Sequence, residues 1–138
     1  KVPSDGGTTD TLNANADLIF RYSGLSVEGT FFWREGTRNP GVDPSVLPTE
    51  QPRNGTGYYA QAGYLLPHQP IELAARYGQI MSSGADSSLS DNSEAGGSLS
   101  YYFAHHAMKI QADYFRFWNG DAIEAGSDQV RIQMQMAY

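Results

Sequence analysis

The chain has no cysteine, which removes a disulfide framework and any thiolate metal site from consideration. It is also poor in charge. Only 17% of its 138 residues are charged, and Lys1 and Lys109 are the sole lysines. A net charge of −6 argues against nucleic acid as a partner, because a general nucleic-acid binder needs a basic surface. No run of about 18 apolar residues occurs, so no helix could cross a membrane. That absence leaves a membrane open, since barrel strands alternate and never produce a hydropathy peak. No secretory leader is visible, though a mature chain would show none.

What is present in quantity is glycine (fifteen) and tyrosine (nine), which with serine favours β structure rich in turns. The length fits one domain, residues 1–138. Reading for a period of two gives seven strands in succession. "TLNANADLIFRYSG" sets Leu12, Ala14, Ala16, Leu18, Phe20 and Tyr22 against Asn13, Asn15, Asp17, Ile19 and Arg21. "LSVEGTFFWRE", "GYYAQAGYLLP", "PIELAARYGQI", "GGSLSYYFA" and "AMKIQADYF" repeat the pattern, and "DQVRIQMQMAY" closes it. The weak point is strand six, where Arg116 falls on the apolar face. Either the strand has left the apolar layer there, or a bulge changes the register.

The joins alternate. "SG", "PHQP" and "AHH" are short, whereas the polar stretches at about 36–57, 84–95 and 118–128 are long. Outer-membrane barrels have this asymmetry, with short periplasmic turns and long external loops. Alternation alone suits two media, a protein core in a soluble sandwich or lipid around a barrel. Three features favour lipid. Tyr22, Tyr64, Phe103 and Tyr138 gather beside the short turns, and Trp33, Tyr58, Tyr77 and Trp118 beside the long loops, as two interfacial girdles would. The strands run to roughly ten residues, the length of a tilted span. The apolar faces hold many small residues, Ala14, Ala16, Ala60, Ala62, Ala75 and Ala112 among them, which would make a thin sandwich core.

The expected fold is therefore all-β, an antiparallel up-and-down transmembrane β-barrel in the bacterial outer membrane. Seven strands cannot close alone without leaving edges in lipid. The expectation is that these are the C-terminal strands of a larger barrel, partnered by outer-membrane lipid and by N-terminal strands outside this segment. Residues 1–10 belong to the long-loop side; the alternative is that they pair irregularly as an eighth strand, against which Gly6 and Gly7 argue.

Charge sorts by segment. Loops and the N-terminal stretch carry ten acids, Glu94, Asp10 and Asp128 among them, against Lys1, Arg38 and Arg53. The strands carry Arg21, Arg34, Arg76, Lys109, Arg116 and Arg131 against Asp17, Glu28, Glu35, Glu72 and Asp113. Arg21, Arg34, Arg76, Lys109 and Arg131 are the candidate pore-lining, anion-contacting residues, because bases along a water-filled wall favour anions. The competing role is structural, as members of cross-strand ion pairs that hold the wall.

"GYYAQAGYLLP", followed by "IELAARYGQI", then "YYFAHHAMKIQADYFRFW" and the terminal "RIQMQMAY", resembles the C-terminal half of the phosphate-selective porin O and P family. In that family a G-Y-Y-x-Q-x-x-Y strand precedes an E-L-x-A-R-Y strand, and the chain closes on an alternating strand with a terminal aromatic. The resemblance covers residues 57–138 and places Arg76 in the matching "ELAARY". It implies a sixteen-stranded homotrimeric porin for anions such as phosphate.

Other chemistry finds little footing. His105 and His106 are adjacent, so on a strand they point to opposite faces and share no metal; a short turn suits them. "DNSE" and "DAIEAGSD" lack the D-x-[DN]-x-[DN]-G calcium pattern. No catalytic residues, metal site or cofactor are assigned. The function expected is passive diffusion of small solutes through an outer-membrane channel with a mild preference for anions, phosphate among them. The alternatives are a soluble β-sandwich carbohydrate-binding module and, more remotely, an outer-membrane barrel enzyme.

Overall fold

A computed structural model describes residues 7–39, 41, 51–84, 87–103 and 108–136. They form one seven-stranded antiparallel sheet in chain order, each strand bonded to the next. The strands are β1 (Thr8–Tyr22), β2 (Leu25–Asn39), β3 (Gly55–Leu65), β4 (Ile71–Ser82), β5 (Asn92–Phe103), β6 (Met108–Asn119) and β7 (Ser127–Met136). They are long, 10 to 15 residues each, against about five or six in an ordinary globular strand.

The register makes the alternation collective. Tyr22 pairs with Leu25, Leu25 with Tyr64, Tyr64 with Leu73, Leu73 with Leu99, Leu99 with Ala112 and Ala112 with Ile132. One row thus crosses all seven strands without a charge. One residue along, Arg21, Ser26, Gly63, Ala74, Ser98, Asp113 and Arg131 form the next row, on the opposite side. A slip of one residue at any pair would mix the two sets, so the pattern and the register support each other.

Turn chemistry sets the first pairing. Ser23 and Gly24 both have positive φ, 45° and 85°, as a two-residue turn matched to strand twist requires. At Gly24 an added Cβ would also lie 2.8 Å from the Leu65 carbonyl oxygen, so a side chain there is excluded twice over.

Neither face is covered by another layer of the described residues. Among the described residues no apolar side chain is buried, and Leu18, Ile19, Val130, Ile132 and Met136 are each at least 60% exposed. Among the described residues, the outer edges of β1 and β7 carry no strand partner. A chain pays about 1–2 kcal/mol of backbone entropy per ordered residue, and this sheet has no core to offset that cost. The stabilisation has to come from whatever the apolar face meets.

The strands run further than the sequence pattern indicates. Glu94, Asp10, Arg38 and Asp128, expected in loops, lie in β5, β1, β2 and β7. Residues 8–10 do not stand apart from the sheet but pair with residues 37–39. Ladder bonds need no apolar side chain, so the strands continue past the point where the alternation fades. There side chains take over: the Asn39 amide donates to Asp10 at 2.8 Å. The Asn54 side chain accepts from the Gly36 N–H at 2.7 Å and donates to its carbonyl at 3.0 Å, extending the pairing beyond β3.

At Arg116 the sheet contains no bulge; the β6–β7 register is unbroken from Met108 to Phe117. Arg116 does lie on the apolar side, and it is neutralised there. It bonds both oxygens of its cross-strand partner Asp128, at 2.9 and 3.1 Å, and donates to the carbonyls of Ile123 and Glu124. It therefore stands at the boundary where the strand meets its loop. The proposed positions of His105, His106 and Tyr138 lie outside the described residues.

Candidate functional site

The polar side of the sheet brings all five candidate bases, Arg21, Arg34, Arg76, Lys109 and Arg131, onto one face, because each occupies the same parity in the register. Their surroundings differ. Arg131 donates from Nε to Asp113 at 2.7 Å and holds it again through Nη2 at 2.6 Å. Asp113 is buried, and the Gln111 amide bonds its other oxygen. This pair is part of the wall's construction, since an isolated buried carboxylate would be costly.

Arg76 sits near the centre. Its Nε is 2.8 Å from Glu94 Oε1, an ion pair rather than a directed hydrogen bond, because the N–H finds no aligned acceptor. The guanidinium lies 4.5 Å over the Tyr59 ring, within the range of a cation–π contact. The Tyr59 hydroxyl in turn donates to Glu28 at 2.7 Å. Lys109 lies 5.9 Å from the Tyr102 ring, and the Tyr102 hydroxyl donates to Glu72. Asp17 accepts from Thr30 at 2.8 Å. Arg21 and Arg34 are exposed and have no ion pair among the described residues.

Between β2 and β6 the polar face dips into a hollow of about 440 Å³ that Phe32, Tyr59, Arg76, Ile80, Glu94 and Phe117 line. Gly57 and Gly78 form its floor, directly opposite Phe32 and Tyr59. A Cβ at Gly78 would meet Glu94 Cγ at 3.1 Å, and one at Gly96 would collide with the Phe115 ring. The glycines let the neighbouring side chains lie low across the sheet. Phe115 and Phe117 stack at 6.2 Å with planes 25° apart. A broader recess of about 610 Å³ lies at the short-turn end, lined by Leu65, His68 and Tyr102 among others, and contains no ion pair.

On the apolar side, Tyr58, Tyr77 and Trp118 form one cluster, with ring centroids 6.1 and 6.3 Å apart, near the long joins. Tyr101 and Phe103 meet edge to face at 4.6 Å near the short ones. No group of three or more His, Asp or Glu side chains able to hold a metal occurs among the described residues.

Sequence reasoning missed Glu94, placed in a loop, and did not see the hollow. A signal existed: glycine at polar-face positions of β3, β4 and β5, facing aromatics on the adjacent strands. It becomes visible only once the pairing is known. No family model, curated protein or solved structure matches the chain.

Proposed function

We propose that this chain forms part of the wall of an outer-membrane porin, passing small solutes by passive diffusion with a mild preference for anions. The observation that carries the proposal is the uncovered apolar face. Seven long strands present Leu, Val, Ile, Ala, Met and aromatic side chains on one side, with no buried apolar residue among those described. Water would penalise that surface heavily, at about 25 cal/mol for each Å², whereas lipid accepts it without a protein partner. A two-layer sandwich would need a second sheet, and the described strands make one.

Geometry along the strands fits the same reading. Eight residues of β2 separate Leu25, paired with Tyr22, from Trp33, about 27 Å of strand, or roughly 20 Å of height at barrel tilt. That compares with an apolar band about 25 Å tall between aromatic girdles. The edges of β1 and β7, unpaired among the described residues, call for further strands, because open edges in lipid leave backbone groups unsatisfied. The resemblance to the phosphate-selective porins suggests a sixteen-stranded trimer in the bacterial outer membrane.

The anion preference rests on Arg21 and Arg34. The polar face is close to neutral in total, but Glu94 and Asp113 are held by arginines, while these two cations face water with no ion pair among the described residues. Asp17, Glu28 and Glu72 share this face with them, so the preference is mild. Extraction and conductance test the proposal together. The full-length protein is expected to require detergent, to give a heat-modifiable band, and to conduct in planar bilayers with a reversal potential on the anion side. A folded, monodisperse chain in plain buffer would overturn it.

A further inference from the structure

The hollow on the polar face is unusual for a wall that faces water. It sets apolar rings beside an ion pair instead of covering the sheet with amides and hydroxyls. Phe32 is 49% and Ile80 45% exposed, and Phe117 flanks the other side. Arg76 and Glu94 form a polar edge between them. We infer that this hollow binds a neutral pyranose sugar in transit, an inference that rests on the porin reading for its setting.

Three ligand chemistries compete for such a place. An anion would find Arg76 already neutralised by Glu94 at 2.8 Å and its guanidinium stacked on Tyr59. A purely apolar ring would cover the ion pair and offer no hydrogen bonds in return, which costs free energy. A pyranose satisfies both halves. Its C–H face packs against Phe117 or Phe32, and its ring-edge hydroxyls can donate to the Glu94 carboxylate while accepting from Arg76 N–H groups. Charge-assisted bonds of this type are the stronger ones. The volume of about 440 Å³ lies in the usual range for small-ligand sites, about 300–1,000 Å³. The glycine floor keeps this space open: at Gly57 an added Cβ would pack 3.6 Å from Ile80 Cγ1, and at Gly78 it would press on Glu94.

The test uses the full-length protein folded in detergent, with maltose as the probe. Saturation-transfer NMR is expected to show transfer to the ring C–H protons. In bilayers, maltose is expected to block the ionic current reversibly. Phe117→Ala should weaken both effects about tenfold, as loss of one ring contact implies. Glu94→Gln, nearly isosteric, should weaken them similarly if Phe117→Ala fails to fold. Tyr101→Ala, on the opposite side of the sheet, should leave both unchanged. A conducting channel that neither binds maltose nor is blocked by it at high millimolar concentration overturns the inference and spares the porin reading. Maltose binding without conductance has the reverse meaning. Block by benzoate alone also overturns the sugar assignment.

Discussion

Asp113 and Arg131 stand directly opposite one another across the β6–β7 pair, and the arginine covers a carboxylate that is only 3% exposed. The pairing is one-sided in cost. Arg131 lies at the open edge with much of its side chain in solvent, whereas Asp113 is enclosed. Arg131→Ala should therefore cost about 1–3 kcal/mol, the penalty of an undercompensated buried acceptor. Asp113→Asn should cost less, and the double variant less than the two added together. Unfolding midpoints in detergent across this cycle measure the coupling; strict additivity would mean that the ion pair holds nothing.

Two neighbours on β7 separate the environments of the faces. Ile132 and Gln133 are both exposed on the sheet, so in water arginine should be tolerated equally at either. If the apolar face meets lipid, Ile132→Arg should cost about 2–4 kcal/mol near the bilayer midplane, and Gln133→Arg little. Folding free energies in liposomes provide the comparison. Equal effects would count against a membrane.

Selectivity should follow the unpaired bases rather than the paired ones. Arg21→Glu and Arg34→Glu are expected to move the reversal potential under a KCl gradient toward cations, each by a few millivolts to tens of millivolts, roughly as a wall charge within a Debye length of about 8–10 Å would. Arg131→Gln should act mainly on stability. A larger selectivity change from Arg131 than from Arg21 would reverse these roles.

Asn54 and Gly36 supply a test of how the long joins are held. The amide replaces a missing ladder residue with two hydrogen bonds, and its backbone carbonyl accepts from the Ser83 N–H at 3.0 Å and the Ser87 hydroxyl at 2.6 Å. Asn54→Ala removes the side-chain pair and should cost about 1–2 kcal/mol. Limited proteolysis should then cut this region faster while the heat-modified band persists. Unchanged protection would show that backbone bonds suffice.

Much of the architecture was legible before any coordinates. Seven strands, their order and the two faces follow from a side-chain period of two, since only that period keeps Leu12 through Tyr22, and Val130 through Met136, on one side. Strand ends were less legible. Asp10, Arg38 and Glu94 look like loop residues because polarity stops alternating there, yet hydrogen bonding between backbones is indifferent to side-chain polarity. The site was least legible. Arg76 and Arg131 stand out as bases in strands, but their partners come from neighbouring strands, Glu94 and Asp113, 18 residues away in each case.

That division has a physical cause. Alternation is a property of consecutive residues, so the amino-acid order alone decides which side chains share a face and which medium each face can tolerate. Cross-strand distance depends on register, which the turn at Ser23 and Gly24 sets for the first pair. Only the folded sheet could place Glu94 against Arg76, put glycine beneath Phe32 and Tyr59, and turn a run of ordinary strand residues into a hollow.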